Sequence, residues 1–221
     1  MSRIRPFGEA AWLVEPLTGV EAQSLAASFR ADLPDGMTGA VAGRSSVLVE
    51  FDPLRRDAAS VAAAIEARLG DRVAPAPGRE RRIPVAYGGE MGPDLAEVAA
   101  RCGLAPADVI ARHAGSELAV GFMGFAPGFA YLDGLPPELA VPRLATPRTR
   151  TPAGSVALAD GMSGVYPAEL PGGWRVIGRT PITLFDPRRE PPSYLLPGDR
   201  VRFESIDEAA WDARAGAPAD W

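Results

Sequence analysis

The chain has 221 residues, 47% of them hydrophobic, and a formal net charge of −5; all 23 of its basic residues are arginine, since lysine is absent, as is asparagine. A Schiff-base lysine, a pyridoxal-phosphate anchor and a P-loop each need a lysine amine at a fixed place, so those chemistries are excluded. One histidine, His113, and one cysteine, Cys102, cannot assemble a histidine or thiolate zinc cluster or a disulfide within one chain, so no metal is expected.

In chain order, Ile4 to Phe7 and Ala11 to Val14 read as short strands around Gly8-Glu9. Thr18 caps a helix whose apolar positions Val20, Leu25, Ala26 and Phe29 fall at helical spacing. Asp35-Gly36 marks a turn, and Val47 to Phe51 is a strand stopped by Asp52-Pro53. Asp57 caps a second helix with Val61, Ile65 and Leu69 every four residues. Two helices on a small antiparallel sheet predict a ferredoxin-like α+β domain over residues 1–75. Asp71 to Arg82 is proline-rich and charged without apolar period, which places a linker at 76–82.

Beyond it, Ile83 to Tyr87 reads as a strand, Pro93 opens a helix to Cys102 closed by Gly103, and Pro106 opens another ending near His113 and Gly115. Cys102, with apolar helical neighbours, is expected to be buried and inert. From Gly121 to Gly198, glycine and proline punctuate short apolar runs at Ser155 to Leu158, Trp174 to Ile177, Ile182 to Phe185 and, just past them, Arg200 to Phe203. Such punctuation predicts an all-β barrel or sandwich there, within a mainly-β domain at 83–205, followed by an acidic tail at 206–221 with one short helical pattern. Glu204 to Trp221 carries five acids against one arginine, so the body is near neutral, and no clustered basic surface suggests nucleic acid. Met1 to Phe7 lacks a signal-type apolar region and no run approaches the roughly 20 apolar residues of a membrane span, so the expectation is a cytoplasmic chain without membrane association.

Chemistry concentrates in three loops: Gly124 to Tyr131, Pro147 to Ser155, and Pro171 to Trp174 leading to Gly178 to Pro181. Glycine lets backbone amides approach a ligand, proline fixes the path, and an aromatic or arginine supplies contact. The same residues also serve as the corners any barrel needs. His113 is the default general acid or base by its ordinary pKa, with a helix-terminus role as the alternative. Arg148, Arg150, Arg175 and Arg179 lie on or beside the loops as candidate clamps for a carboxylate or phosphate. Neither Ser155 nor Ser163 lies in a nucleophile elbow, and no dinucleotide-binding glycine pattern follows a strand.

Four strings carry a resemblance to a known family: the run from Tyr87 to His113, GFAPGFAYLDGLP from Gly124, VPRLATPRTRTPAGSVAL from Val141, and YPAELPGGWRVIGRTPITLFDP from Tyr166. They resemble the B subunit of bacterial ATP-dependent 5-oxoprolinase, a family also labelled allophanate hydrolase subunit 1 or carboxyltransferase subdomain C/D, which includes the sporulation-kinase inhibitor KipI. The resemblance implies a small α+β domain followed by a cyclophilin-like β-barrel. It implies two partners, the A subunit of the complex plus a homologous C subunit. It also implies ATP as co-substrate of the complex, its site outside this chain alone. The implied activity is opening of the 5-oxoproline lactam to glutamate. Related members inhibit a sensor histidine kinase or form half of a biotin-dependent urea carboxyltransferase.

Positions matching the family pattern include His113, Phe125, Pro127, Gly128, Tyr131, Gly154, Ser155, Tyr166, Gly172, Gly173 and Trp174. Residue chemistry then assigns His113, Arg148 and Ser155 to catalysis, and the aromatics and glycines to substrate binding, with loop amides of the Pro-Gly-Gly-Trp and Pro-Ala-Gly-Ser segments facing a developing oxyanion. The chain departs from the pattern at Met162-Ser163, where a Gln-Thr pair is usual, at Leu170 for a serine, and at Leu118 for a tyrosine, which removes hydrogen-bonding capacity.

Overall fold

Thr18 starts the first helix through a reciprocal capping box: its hydroxyl accepts from the Glu21 amide at 3.2 Å, while the Glu21 carboxylate accepts from the Thr18 amide at 2.7 Å. The computed structural model describes residues 4–69 and 78–215. The chain divides into two units, Met1–Pro77 and Gly78–Trp221. In the first, β1 (Ile4–Pro6), β2 (Ala11–Val14), α1 (Gly19–Ala31), β3 (Met37–Ala42), β4 (Val47–Phe51) and α2 (Ala58–Leu69) follow in order. The strands form one antiparallel sheet in the order β1-β2-β4-β3. Val47 and Val49 of β4 meet Phe29 of α1 and Val61 and Ile65 of α2 in a shared core. The unit is therefore α+β. Asp57 caps α2 through the Ser60 amide at 2.9 Å. β3 has no strong strand composition, with Gly39 and two alanines, and is held by its ladder to β4.

The proposed linker at 76–82 falls partly on residues 70–77, which lie outside the described residues, and its remainder is corrected: β5 (Glu80–Tyr87) begins at Glu80. Those charged residues are strand because Glu80 to Ala86 pairs in parallel with β13 (Arg200–Ile206). Arg81 is buried against the Tyr194 ring, 4.5 Å from its centroid, with Asp199 at 3.7 Å, so a charge in this sequence marks a core position.

The second unit continues with α3 (Leu95–Cys102), α4 (Pro106–Ala114), β6 (Leu118–Met123), β7 (Ala130–Asp133), β8 (Arg148–Thr151), β9 (Ser155–Ala159), β10 (Met162–Val165), β11 (Leu170–Gly172), β12 (Arg175–Arg179), β13 and α5 (Glu208–Arg214). Seven strands close a mixed barrel in the order β10-β7-β6-β13-β5-β12-β9, and β8 pairs with β11 beside it. Asp160 and Gly161, at φ of 52° and 76°, make the two-residue turn between β9 and β10 that matches strand twist. Ile83, Leu132, Val156, Leu158 and Ile177 belong to the main core. Alternate residues of the same strands, such as Ala157 and Ala159, join a second cluster with Phe129, Tyr166 and Trp174, as period-two side chains must.

Four expectations change. Ile182 to Phe185 is not a strand: Pro181 has no amide to donate, and Phe185 makes only an isolated bridge to Ser193. The third helix begins at Leu95, because the Asp94 amide is committed to the Val176 carbonyl at 2.9 Å. Cys102 is half-buried, and that burial raises its thiol pKa. Ile206, placed in the tail, ends β13, and 216–221 lie outside the described residues.

Candidate functional site

The first loop crosses to the second cluster through a tight turn in which the Phe129 amide bonds the Ala126 carbonyl and the Gly124 amide bonds the Phe129 carbonyl. Phe125 is held at φ 70°, a backbone region most side chains avoid, and its ring is 59% exposed. Gly128, at φ 81°, passes so close to Phe185 that a Cβ would overlap that side chain. Beneath Phe125 the rings form a continuous wall. Phe125 and Phe129 are 5.4 Å apart, Phe129 and Tyr166 5.3 Å, Phe129 and Trp174 5.8 Å, and Tyr131 stacks on Phe122 at 4.1 Å. Gly164 leaves space for this wall, since a Cβ there would press on the Phe129 and Trp174 rings.

Tyr166 is buried, with the Trp174 amide hydrogen-bonding its hydroxyl. A Cβ on Gly172 would collide with that hydroxyl, which explains why glycine precedes Gly173-Trp174. Burial raises the phenol pKa of both Tyr131 and Tyr166, and the Arg143 charge opposes the rise in each. Both rings therefore stay neutral phenols at ordinary pH.

Two arginines border the wall. Arg143 lies 5.9 Å from the Trp174 ring centroid and is held by Asp160 at 2.8 Å. Arg148 donates to Asp94 Oδ1 at 2.6 Å and more weakly to the Trp174 carbonyl at 3.5 Å. Asp94 is itself buried, and its Oδ2 accepts from the Val176 amide at 2.7 Å. This carboxylate ties the start of α3, β8 and β12 together. Arg143 and Asp94 do not stand out in the sequence. Pro93-Asp94 before a helical run is the one local signal, and it marks a helix start, not an arginine partner.

The structure thus gathers Phe125, Tyr131, Tyr166, Gly172, Gly173, Trp174 and Arg148 on one face, with Pro127 and Gly128 shaping the loop that carries Phe125. Gly154 and Ser155 lie at the other end of their loop and are buried. Their amides are already committed, Gly154 to the Tyr166 carbonyl at 2.7 Å and Ser155 to the Pro152 carbonyl at 3.2 Å, so neither is a spare oxyanion donor.

His113 does not reach this face. It is fully buried, with Nδ1 2.8 Å from the Tyr87 hydroxyl of β5, Nε2 2.9 Å from the Ser163 hydroxyl of β10, and its ring stacked on Phe203 at 4.5 Å. β5 and β10 are three strands apart in the closed barrel, so the imidazole braces non-adjacent walls. Ser163 and Gly164 are consecutive in β10, so their side-chain positions face opposite sides: Ser163 meets His113 and Gly164 meets the aromatic wall. Burial lowers the His113 pKa to about 3. Met162 and Leu170 pack with the wall's cluster and Leu118 in the main core, so these three departures from the family pattern are absorbed as apolar packing, while Ser163 keeps a hydroxyl that meets His113.

A closed mixed barrel carrying an aromatic and arginine face on β10, β12 and their loops defines the class, a mainly-β barrel protein. The chain belongs to the family described as carboxyltransferase domain, subdomain C and D, whose model matches residues 2–195. It is 54% identical over 121 residues to the B subunit of 5-oxoprolinase from Escherichia coli O157:H7, covering 55% of this chain and 56% of that one. The chain spans about half the length of the curated relatives it matches. A solved structure, the conserved uncharacterized protein PH0987 from Pyrococcus horikoshii, superposes with a TM-score of 0.59 at 40% identity, over 94% of this chain and 99% of that one. Kluyveromyces lactis urea carboxylase shares the fold at TM-score 0.77 and 20% identity, covering 95% of this chain and 22% of the larger one. Among the described residues no helix is long and apolar enough to cross a membrane, and no group of three or more His, Cys, Asp or Glu could hold a metal ion.

Proposed function

We propose that this chain is the B subunit of an ATP-dependent 5-oxoprolinase-type complex, a cyclic-amide hydrolase acting in the cytoplasm with an A subunit plus a homologous C subunit. The observation that carries the reading is the 54% identity to a protein of that name, together with an aromatic wall built from residues that match the family pattern and bordered by Arg148. ATP is the co-substrate of the assembled complex. The lysine-free chain holds no P-loop, which supports a nucleotide site in the complex outside this chain alone.

An unstrained lactam resists water, so the complex first transfers the ATP γ-phosphoryl group to the amide oxygen, releasing ADP. Water then adds to the carbon, the C–N bond breaks with the nitrogen leaving as an amine, and a second water hydrolyses the resulting acyl phosphate to glutamate and phosphate. In this scheme Trp174, Tyr131 and Phe125 cover the apolar ring edge. Arg148, its side chain 30% exposed and held in place by Asp94, stabilises negative charge on the phosphorylated oxygen. His113 and Ser155 act from behind this face as supports of the barrel and loop. The ferredoxin-like assignment of the first unit belongs to the same proposal, supported by two helices sharing a core with its antiparallel sheet.

The test is reconstitution of the chain with its partner proteins and measurement of glutamate formed from 5-oxoproline with and without ATP. ATP-dependent turnover that falls at least about tenfold in Arg148→Gln supports the reading. No turnover in a correctly assembled complex overturns it.

A further inference from the structure

Five arginines lie on or beside the three loops, and four already have a carboxylate: Arg143 with Asp160, Arg148 with Asp94, Arg150 with Glu169, and Arg175 with Glu97. Arg179, at the end of β12, has no acidic partner among the described residues. Its Nε donates to the Ala153 carbonyl at 2.8 Å, which fixes the guanidinium and leaves its two terminal amino groups without a protein acceptor among those residues. The guanidinium lies 5.6 Å from the ring centroid of Trp211 on α5, so its planar position is defined on two sides.

It borders a cleft of about 250 Å³ whose lining shares no residue with the aromatic wall. Gly154, Thr180, Pro181, Ile182 and Trp211 form much of its lining, and none of the lining residues is acidic. The volume holds about eight waters at roughly 30 Å³ each, enough for a ring or short chain of that many heavy atoms. One fixed guanidinium amid proline, isoleucine and indole surfaces suits a single carboxylate on a compact apolar body. A phosphate dianion finds only one cation here.

We propose that the Arg179 cleft is a binding site for a small monocarboxylate, with the carboxylate on Arg179 and the body against Pro181, Ile182 and Trp211. The site is separate from the aromatic wall and stands independently of the hydrolase reading. Gly154 takes part as a spacer: at φ 81° it runs so close to the Thr180 carbonyl that a Cβ would overlap it, and this contact sets one edge of the cleft.

The experiment titrates the full chain and follows the indole N–H resonance of Trp211, identified by its loss in Trp211→Phe among the four tryptophans. The probes are 5-oxoproline, cyclopentanecarboxylate and neutral pyrrolidin-2-one, each to about 20 mM, above the millimolar affinity that a single-arginine seat gives. Sodium chloride at matched ionic strength is the control. Saturable shifts are expected with one or both carboxylates, weakened at least about tenfold in Arg179→Gln and unchanged in Arg214→Gln, which keeps α5 but alters a charge outside the lining. Far-UV circular dichroism establishes that each variant is folded. Binding of cyclopentanecarboxylate without 5-oxoproline supports the site while detaching it from lactam hydrolysis. The proposal is overturned by silence of both carboxylates, by equal binding to Arg179→Gln, or by pyrrolidin-2-one binding as well as 5-oxoproline.

Discussion

His113 offers a clean test because it is the chain's single histidine, so no other side chain with an ordinary pKa near 6.5 titrates with it. In the folded protein burial lowers its pKa to about 3, while the unfolded chain restores the ordinary value near 6.5. The unfolded state therefore binds more protons between these values, and stability rises with pH. The contribution is fully present above pH 6.5 and is lost as pH falls towards 3, at about 1.4 kcal/mol per pH unit once well below 6.5. By pH 5 the loss is about 2 kcal/mol. His113→Gln removes the titration but keeps an amide that can meet the Tyr87 and Ser163 hydroxyls, so it lowers stability at pH 7.5 by about 1–3 kcal/mol and flattens the slope. Urea unfolding of both proteins at pH 7.5, 6.5, 5.5 and 5.0 reads the difference, with tryptophan fluorescence reporting the second unit's transition through Trp174. Equal losses in the two proteins would refute the reasoning, as would a histidine Cε1–H resonance that titrates near pH 6.5 in the native chain. By the same geometry, a limb near pH 6.5 in the activity of the assembled complex does not arise from His113.

Asp94→Ala strands the Val176 amide and the Arg148 guanidinium together, and is expected to destabilise the second unit by about 2–4 kcal/mol, less than a fully buried pair because Arg148 reaches solvent. A double-mutant cycle with Arg148→Gln should show coupling of about 1 kcal/mol or more, and additive effects would exclude the pairing. Gly172→Ala drives a Cβ into the Tyr166 hydroxyl and should lower the thermal midpoint, by about 1–3 kcal/mol in stability; adding Tyr166→Phe should recover part of that loss, and no recovery would mean the collision is elsewhere. Phe125→Gly relieves the φ 70° conformation, so the isolated chain should gain up to about 1 kcal/mol while the assembled complex loses turnover. A chain that becomes less stable would show that the ring contributes more than its backbone strain.

Local chemistry was legible in the sequence wherever neighbours decide the outcome. Thr18 and Asp57 cap their helices, and Gly103 closes α3 in the left-handed conformation. What could not be read is pairing at a distance. Tyr87 and Ser163, the partners of His113, lie 26 and 50 positions away, and Asp94 lies 54 positions from Arg148. Arg81 shows the same limit in reverse, because its charged surroundings suggest a linker while its guanidinium stacks over Tyr194 inside the barrel.

Charge accounting is where the lysine-free composition becomes informative. Arginine must fill every cationic role, so its presence in a loop cannot distinguish a structural tie from a ligand clamp; the identity of its carboxylate partner can. Arg175 is 4% exposed and paired with Glu97, so its removal disturbs the barrel first, whereas Arg148 is fixed by a carboxylate that also holds a strand amide, so its removal disturbs the barrel together with any ligand it contacts. Arg179 is fixed by a neutral carbonyl beside an open cleft, with no carboxylate on it among the described residues. Loss of Arg179 should therefore leave stability nearly unchanged while altering anion binding, whereas loss of Arg148 should change both. That contrast separates the two roles without knowledge of the natural ligand.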